Sequence, residues 1–291
     1  MKSWVVFAGV WLSCVGLTVL LGLPADGVRL GGIPVLWMCF ALAFAVQWVA
    51  FVPAYLKQTE YFFDLTGSLT YLAVMAGSLG IAALERTPGP AQVLVSLAVT
   101  IWALRLGSFL FRRVHADGGD GRFDELKPSI PRFLVVWTLQ GAWVSMTALA
   151  MLLVNTGPAA LQRPGLLAAG AVVWVLGFAI EVLADHQKRV FRRDADQSGR
   201  FIQTGLWAWS QHPNYFGEIV LWVGVFVMSA SVLDGWGLRG AISPIFVAFL
   251  LMKISGVPLL EARAAERWGD DPDYQNYIAT VPVLIPRPPR A

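Results

Sequence analysis

The chain has 291 residues, 56% of them hydrophobic and only 14% charged, with a mean hydropathy of +0.60. A soluble domain carries about 25% charged residues to cover its surface. A soluble domain, a disordered chain, a coiled coil and a collagen-like repeat are therefore excluded, and an integral membrane protein remains. A net charge of +3 is too small to point to nucleic acid.

About 20 apolar residues cross the hydrocarbon core of a bilayer. In chain order, charge-free stretches predict helices near 4–23, 33–52, 62–84, 91–111 and 133–154. Three more are interrupted by single charges: 165–185 by Glu181, 214–233 by Glu218 and 240–260 by Lys253. The first stretch has one Lys, no clear small-residue cleavage site and a second span soon after it. It therefore reads as a membrane helix and not a signal peptide. Cys14 and Cys39 lie inside apolar runs, without the spacing of a metal or redox pair, and no metal site is expected. The fold class expected is all-α, a polytopic transmembrane helix bundle of seven or eight spans.

Eight spans put the N-terminus, the even-numbered loops and the C-terminal tail on one side. That side collects 16 of the 22 basic residues, the other collects 4, and Arg105 and Lys253 lie within spans. The asymmetry predicts cytoplasmic termini, with the polar loops 112–132 and 186–213 on the same side.

Ionisable groups inside a span are costly and usually line a cavity. Arg105 lies in the fourth span. Glu181, Asp185, Lys188 and Arg192 make a polar stripe down the sixth, and Asn214 and Glu218 are four apart in the seventh. Glu60, Asp64, Ser68 and Tyr71 share a face of the third. All four faces lie toward the cytoplasmic side, which predicts a water-accessible pocket there. Each has a structural alternative. Arg189 and Arg193 fit a positive-inside flank, Asp64 and Arg105 an interhelical pair, and Tyr61 and Tyr71 an aromatic belt. Lys253 fits a snorkelling side chain.

The segment 199–218 carries the most information. Pro213 stands where a helix can begin, and a helix N-terminus offers unpaired N–H groups to a phosphate or amide. As bare spacing it fits a structural re-entrant turn equally well.

Gly205-Leu206-Trp207, followed by Ser210-Gln211-His212-Pro213-Asn214-Tyr215-Phe216-Gly217-Glu218, resembles the steroid 5α-reductase C-terminal domain family. The likeness is to its branch of bacterial-type membrane proteins described as a domain of unknown function. Phe62–Ser68, Arg105-Leu106-Gly107, Asp120–Asp124, Tyr274–Tyr277 and Leu284-Ile285-Pro286 fit the same branch. The resemblance runs from about residue 55 to the end, giving N-terminal transmembrane helices over 1–54 and a reductase-like membrane domain over 55–291.

What the resemblance implies is an NADPH-dependent reductase of an activated C=C bond, an enone, in a steroid-like or other lipid, fed from a cytoplasm-facing cofactor cavity. This is the chemistry of a 3-oxo-5α-steroid 4-dehydrogenase. The cofactor contacts fall on Asn214, Glu218 and Asp185, with Arg192 and Lys188 for phosphate; Arg105, His212 and Tyr215 complete the set. The family's adjacent Gln-Glu pair at the substrate carbonyl is split here as Gln58-Thr59-Glu60, and its tyrosine donor falls on Trp102. Glu60, held protonated by burial, is the first candidate proton donor, with Tyr61 and Tyr71 next. The implied setting is the inner membrane if the source is bacterial, with no obligate protein partner. Two alternatives remain. One is an S-adenosylmethionine-dependent methyltransferase of the isoprenylcysteine carboxyl methyltransferase type, and the other a non-enzymatic lipid-binding protein.

Overall fold

The computed structural model describes residues 2–23, 27–157 and 160–289. Arg290, counted above among the basic residues, lies outside these, as do both terminal residues. After α1 (Lys2–Leu21), a two-residue turn closes a small antiparallel hairpin of β1 (Arg29–Leu30) and β2 (Ile33–Pro34). Gly31 and Gly32 hold φ of 56° and 82°, the left-handed pair that a tight hairpin turn requires. Every other element among the described residues is helical. These are α2 (Val35–Leu56), α3 (Phe63–Glu85), α4 (Pro90–Asp117), α5 (Ile130–Thr147), α6 (Leu149–Thr156), α7 (Pro164–Arg193), α8 (Pro213–Ser229), α9 (Ile242–Lys253), α10 (Val257–Trp268) and α11 (Pro272–Thr280).

Among the described residues, six stretches are long and apolar enough to cross a membrane: Ser3–Leu21, Val35–Leu56, Phe63–Glu85, Pro90–Asp117, Pro164–Arg193 and Gly235–Trp268. The pair α5 and α6, bent by 54°, makes a seventh if counted as one span. The chain is thus an integral membrane protein with the all-α polytopic architecture expected. The seventh span expected, 214–233, begins in place but α8 has only 17 residues, about 26 Å at 1.5 Å per residue. The eighth, 240–260, lies within the Gly235–Trp268 stretch but is broken between α9 and α10. The N–H groups of Ile254 and Ser255 both close on Leu250 O, and the helix restarts at Val257 with Pro258 in its first turn, where a missing N–H costs nothing.

The chain divides into two compact units, Met1–Leu167 with Met228–Ser243, and Ala168–Val227 with Pro244–Ala291. In the first, buried polar groups join the helices, as they must where lipid removes the hydrophobic drive. Asn155 Nδ2 on α6 donates to Ser78 Oγ on α3 at 3.0 Å and to Ser96 Oγ on α4 at 3.1 Å. Gln47 Nε2 on α2 donates to Thr70 Oγ1 at 2.8 Å. The bend between α5 and α6 has a local cause: Ser243 Oγ donates to Met146 O and accepts from Ala150 N at 3.0 Å, inserting a hydroxyl into the helical ladder.

In the second unit, α7 and α8 pack backbone to backbone. A Cβ added to Gly177 would lie 2.4 Å from Leu221 N, one on Gly217 2.5 Å from Glu181 N, and one on Gly224 2.5 Å from Trp174 N. Only glycine permits this approach, the small-residue contact typical of membrane helices. It sets Glu181 and Asp185 beside the first turns of α8.

Candidate functional site

The first unit holds a polar cleft of about 390 Å³ between the 57–62 connection and the loop that follows α4. Lys57, Glu60, Tyr61, Asp117, Asp120 and Lys127 are among its lining residues. α4 stops because Gly118 takes a left-handed φ of 77°, the usual helix C-terminal device. Asp120 then caps a short 3-10 turn, accepting from Arg122 N at 3.1 Å and from Arg122 Nε at 2.7 Å.

Glu60 is 5% exposed. Its Oε1 accepts from Asp120 N at 2.9 Å and its Oε2 from Lys127 Nζ at 2.7 Å; Lys127 also reaches Asp124 at 2.9 Å. Burial pulls the Lys127 ammonium down, but hydrogen bonds to Glu60 and Asp124 outweigh it and hold it above its ordinary value. Burial pushes the Asp120 carboxyl up, and the hydrogen bonds and charge of Arg122 more than offset that.

Glu60 does not begin the polar face of the third helix. α3 starts at Phe63, whose N–H donates to Glu60 O at 2.8 Å, so Glu60 occupies the preceding turn. There its carboxylate is an acceptor on both oxygens. Tyr61 OH donates to Gly118 O at 2.8 Å. Tyr71 is not among the cleft-lining residues; it is buried on α3, edge-on to Trp102 of α4 with ring centroids 5.0 Å apart. Arg105 lies over the Phe109 ring at 5.2 Å, and Asp64 reaches Arg113 at 3.9 Å.

The second unit gathers the rest of the expected set. Asn214 Nδ2, in the first turn of α8, donates to Asp185 Oδ1 on α7 at 3.2 Å, and Glu218 follows one turn later. Glu181 and Asp185 are buried, Lys188 is half-buried, and Arg189 and Arg192 are exposed at the end of the same helix. His212 stacks on Tyr215 with centroids 5.4 Å apart and is 7% exposed, yet among the described residues its Nδ1 has no hydrogen-bond partner. Burial, helped by the Lys188 charge, pushes His212 down to about 4, so the ring is neutral at physiological pH.

Trp207 and Gln211, named from the sequence only as part of the 205–218 motif, and Gln187, not singled out there, frame this site. Trp207 Nε1 donates to Ala184 O at 3.1 Å and its ring carries Lys188 Nζ at 4.4 Å. Gln187 Oε1 accepts from Leu206 N at 3.0 Å. Gln211 is tied to the C-terminal segment, its N donating to Pro282 O at 2.9 Å and its Nε2 to Val281 O at 2.6 Å. The signal for the helix contact was available: Gly170 with Gly177, and Gly217 with Gly224, each repeat at seven residues.

Comparison with known proteins gives the same direction. The chain is 27% identical to mouse 3-oxo-5-alpha-steroid 4-dehydrogenase 1 over 117 residues, 40% of each chain. It is 28% identical to the rat protein of that name, again over 40% of each, and 31% identical to the human one over 30% of each. The chain thus spans well under half the length of these curated relatives. No solved structure matches. The family model described as "Protein of unknown function (DUF1295)" matches residues 50–281, most of the sequence, and the chain belongs to that family.

Proposed function

We propose that this protein is a membrane reductase that uses NADPH to reduce an activated C=C bond, an enone, in a steroid-like or other lipid. The observation that carries the reading is the Asn214–Asp185 hydrogen bond at the N-terminus of α8, in a chain whose relatives are named as steroid 4-dehydrogenases. The residues present fit the cofactor. A buried imidazole nitrogen without a partner among the described residues, helix N–H groups, and the cations of α7 match a ligand with an amide, hydroxyls and phosphates.

Asp185, Asn214 and Glu218 would hold the amide and hydroxyl groups, together with His212 and Tyr215, and Lys188 and Arg192 the phosphates. NADPH, when bound, supplies a hydride to the β-carbon of the enone. The negative charge that develops on the substrate oxygen calls for a donor. Glu60, with both oxygens accepting, Tyr61 and Tyr71 are the candidates for that role, and substitution of each decides among them. Both termini and the cofactor site are proposed to be cytoplasmic, on the 16-to-4 division of basic residues, which takes α5–α6, α8 and the 235–268 stretch each as one crossing, eight in all. A cytoplasm-active reporter at the C-terminus should be bright, and a periplasm-active one bright instead would reject this topology.

The test of the activity is purified protein in lipid nanodiscs with NADPH and a 3-oxo-Δ4 steroid or other enone lipid. Oxidation of NADPH should match formation of a product heavier by two hydrogens. Methyl transfer from S-adenosylmethionine without such reduction would refute the reading.

A further inference from the structure

We propose that residues 117–122 form a strap, clasped shut over the polar cleft by Glu60 and lifted to expose that carboxylate. The strap lies between a hinge and an anchor. The hinge is Gly118-Gly119, at φ of 77° and 131°, directly after α4. The anchor is Phe123, 6% exposed, whose ring meets Phe63 at 5.0 Å and Phe133 at 6.2 Å. Between these points the strap packs as one piece, because Asp120 and Arg122 pair with each other.

Two hydrogen bonds to the 60–61 turn fasten it, and the Arg122 charge also acts on Asp64 of α3 and the Arg113 charge on Asp120. Asp120 N donates to Glu60 Oε1 at 2.9 Å, and Gly118 O accepts from Tyr61 OH at 2.8 Å. Asp117, Gly118 and Gly121 are exposed, so lifting the strap uncovers little apolar surface. Lys127 lies beyond the anchor and pairs with the opposite oxygen of Glu60 at 2.7 Å. An open strap therefore leaves Glu60 uncovered but still paired, and its charge is never stranded. Opening exchanges these two hydrogen bonds for water, weakens the charge interactions with Asp64 and Arg113, and keeps the costly ion pair. Sub-global opening of this kind belongs to segments with few buried contacts and exposed backbone bonds. The device is independent of which reaction the protein performs.

The test is hydrogen exchange on the full chain in nanodiscs, read with carbodiimide labelling of Glu60. Two variants weaken the clasp while keeping both Glu60 and Lys127. Tyr61→Phe removes the donor to Gly118 O. Gly119→Ala places a Cβ 3.0 Å from Glu60 Oε1 at a φ of 131°, which an L side chain rarely adopts. Each should speed exchange of the 118–122 amides by about 2- to 12-fold, the effect of losing one hydrogen bond. The amides of α4 and α5 should keep wild-type rates while Glu60 labelling rises. Unchanged exchange in both variants, acceleration spread through α4 and α5, or faster exchange with Glu60 still unlabelled would each overturn the strap.

Discussion

Gly177 and Gly217 bring α7 and α8 into backbone contact, each glycine's missing Cβ being filled by the carbonyl oxygen of the other at 2.7 Å. The Asn214–Asp185 hydrogen bond depends on this spacing, because Asn214 lies one turn before Gly217 and Asp185 two turns after Gly177. Gly217→Val should cost about 3 kcal/mol or more, the upper range for overpacking, since the obstructing atoms are backbone. Gly80→Ala, with nothing within 4 Å of the added Cβ, should leave the melting temperature near wild type. Thermal unfolding in detergent, followed by intrinsic fluorescence, checks both.

His212 makes stability depend on pH. Its folded value, about 4, lies below the ordinary value near 6.5, so the unfolded chain binds the proton first. The contribution is fully present above pH 6.5 and is lost as pH falls through about 4. The window spans roughly 3 kcal/mol at 1.36 kcal/mol per pH unit. His212→Gln should flatten the melting temperature between pH 7 and pH 4 relative to wild type. Parallel profiles for the two proteins would contradict this.

Lys127→Met should be strongly destabilising. It leaves Glu60, 5% exposed, as a buried carboxylate without its cation, which costs about 3–5 kcal/mol. Adding Glu60→Gln should recover much of that loss, because no charge is then stranded. A double-mutant cycle by chemical denaturation measures the coupling, and simple additivity would show that the pair does not act as one.

Glu60→Gln and Tyr71→Phe test two of the candidate donors. Loss of the donor should lower turnover of an accepted enone lipid by about 10²–10⁴, the range for a lost general acid, with NADPH affinity unchanged. A variant that keeps wild-type turnover removes its residue from the mechanism.

Much of the architecture was legible because charge-free runs of span length have one reading in a bilayer. The starts of α3, α4 and α8 fall close to where charge and proline placed them. The break at 254–256 was hidden because Ile254-Ser255-Gly256 carries no charge, and the α5–α6 bend because its cause, Ser243, is remote in sequence. At the candidate site, Asp185 and Asn214 were readable as polar residues that a span would otherwise exclude. Lys127 was not, because as one cation in a loop rich in them it looked like part of the positive-inside flank. Its pairing with Glu60 exists only once α4 ends at Gly118 and the chain turns back.

The central claim is that the α7–α8 site holds NADPH. Ligand binding to the folded state raises its stability by RT ln(1 + [L]/Kd), so the most direct measurement is the melting temperature of the purified protein against nucleotide concentration. NADPH should raise it progressively, and Asn214→Ala and Arg192→Ala should each reduce the shift while the apo protein melts near wild type. S-adenosylmethionine should give no comparable rise, since the cations of α7 have no phosphate to hold in it. Stabilisation by S-adenosylmethionine with none by NADPH would contradict the account.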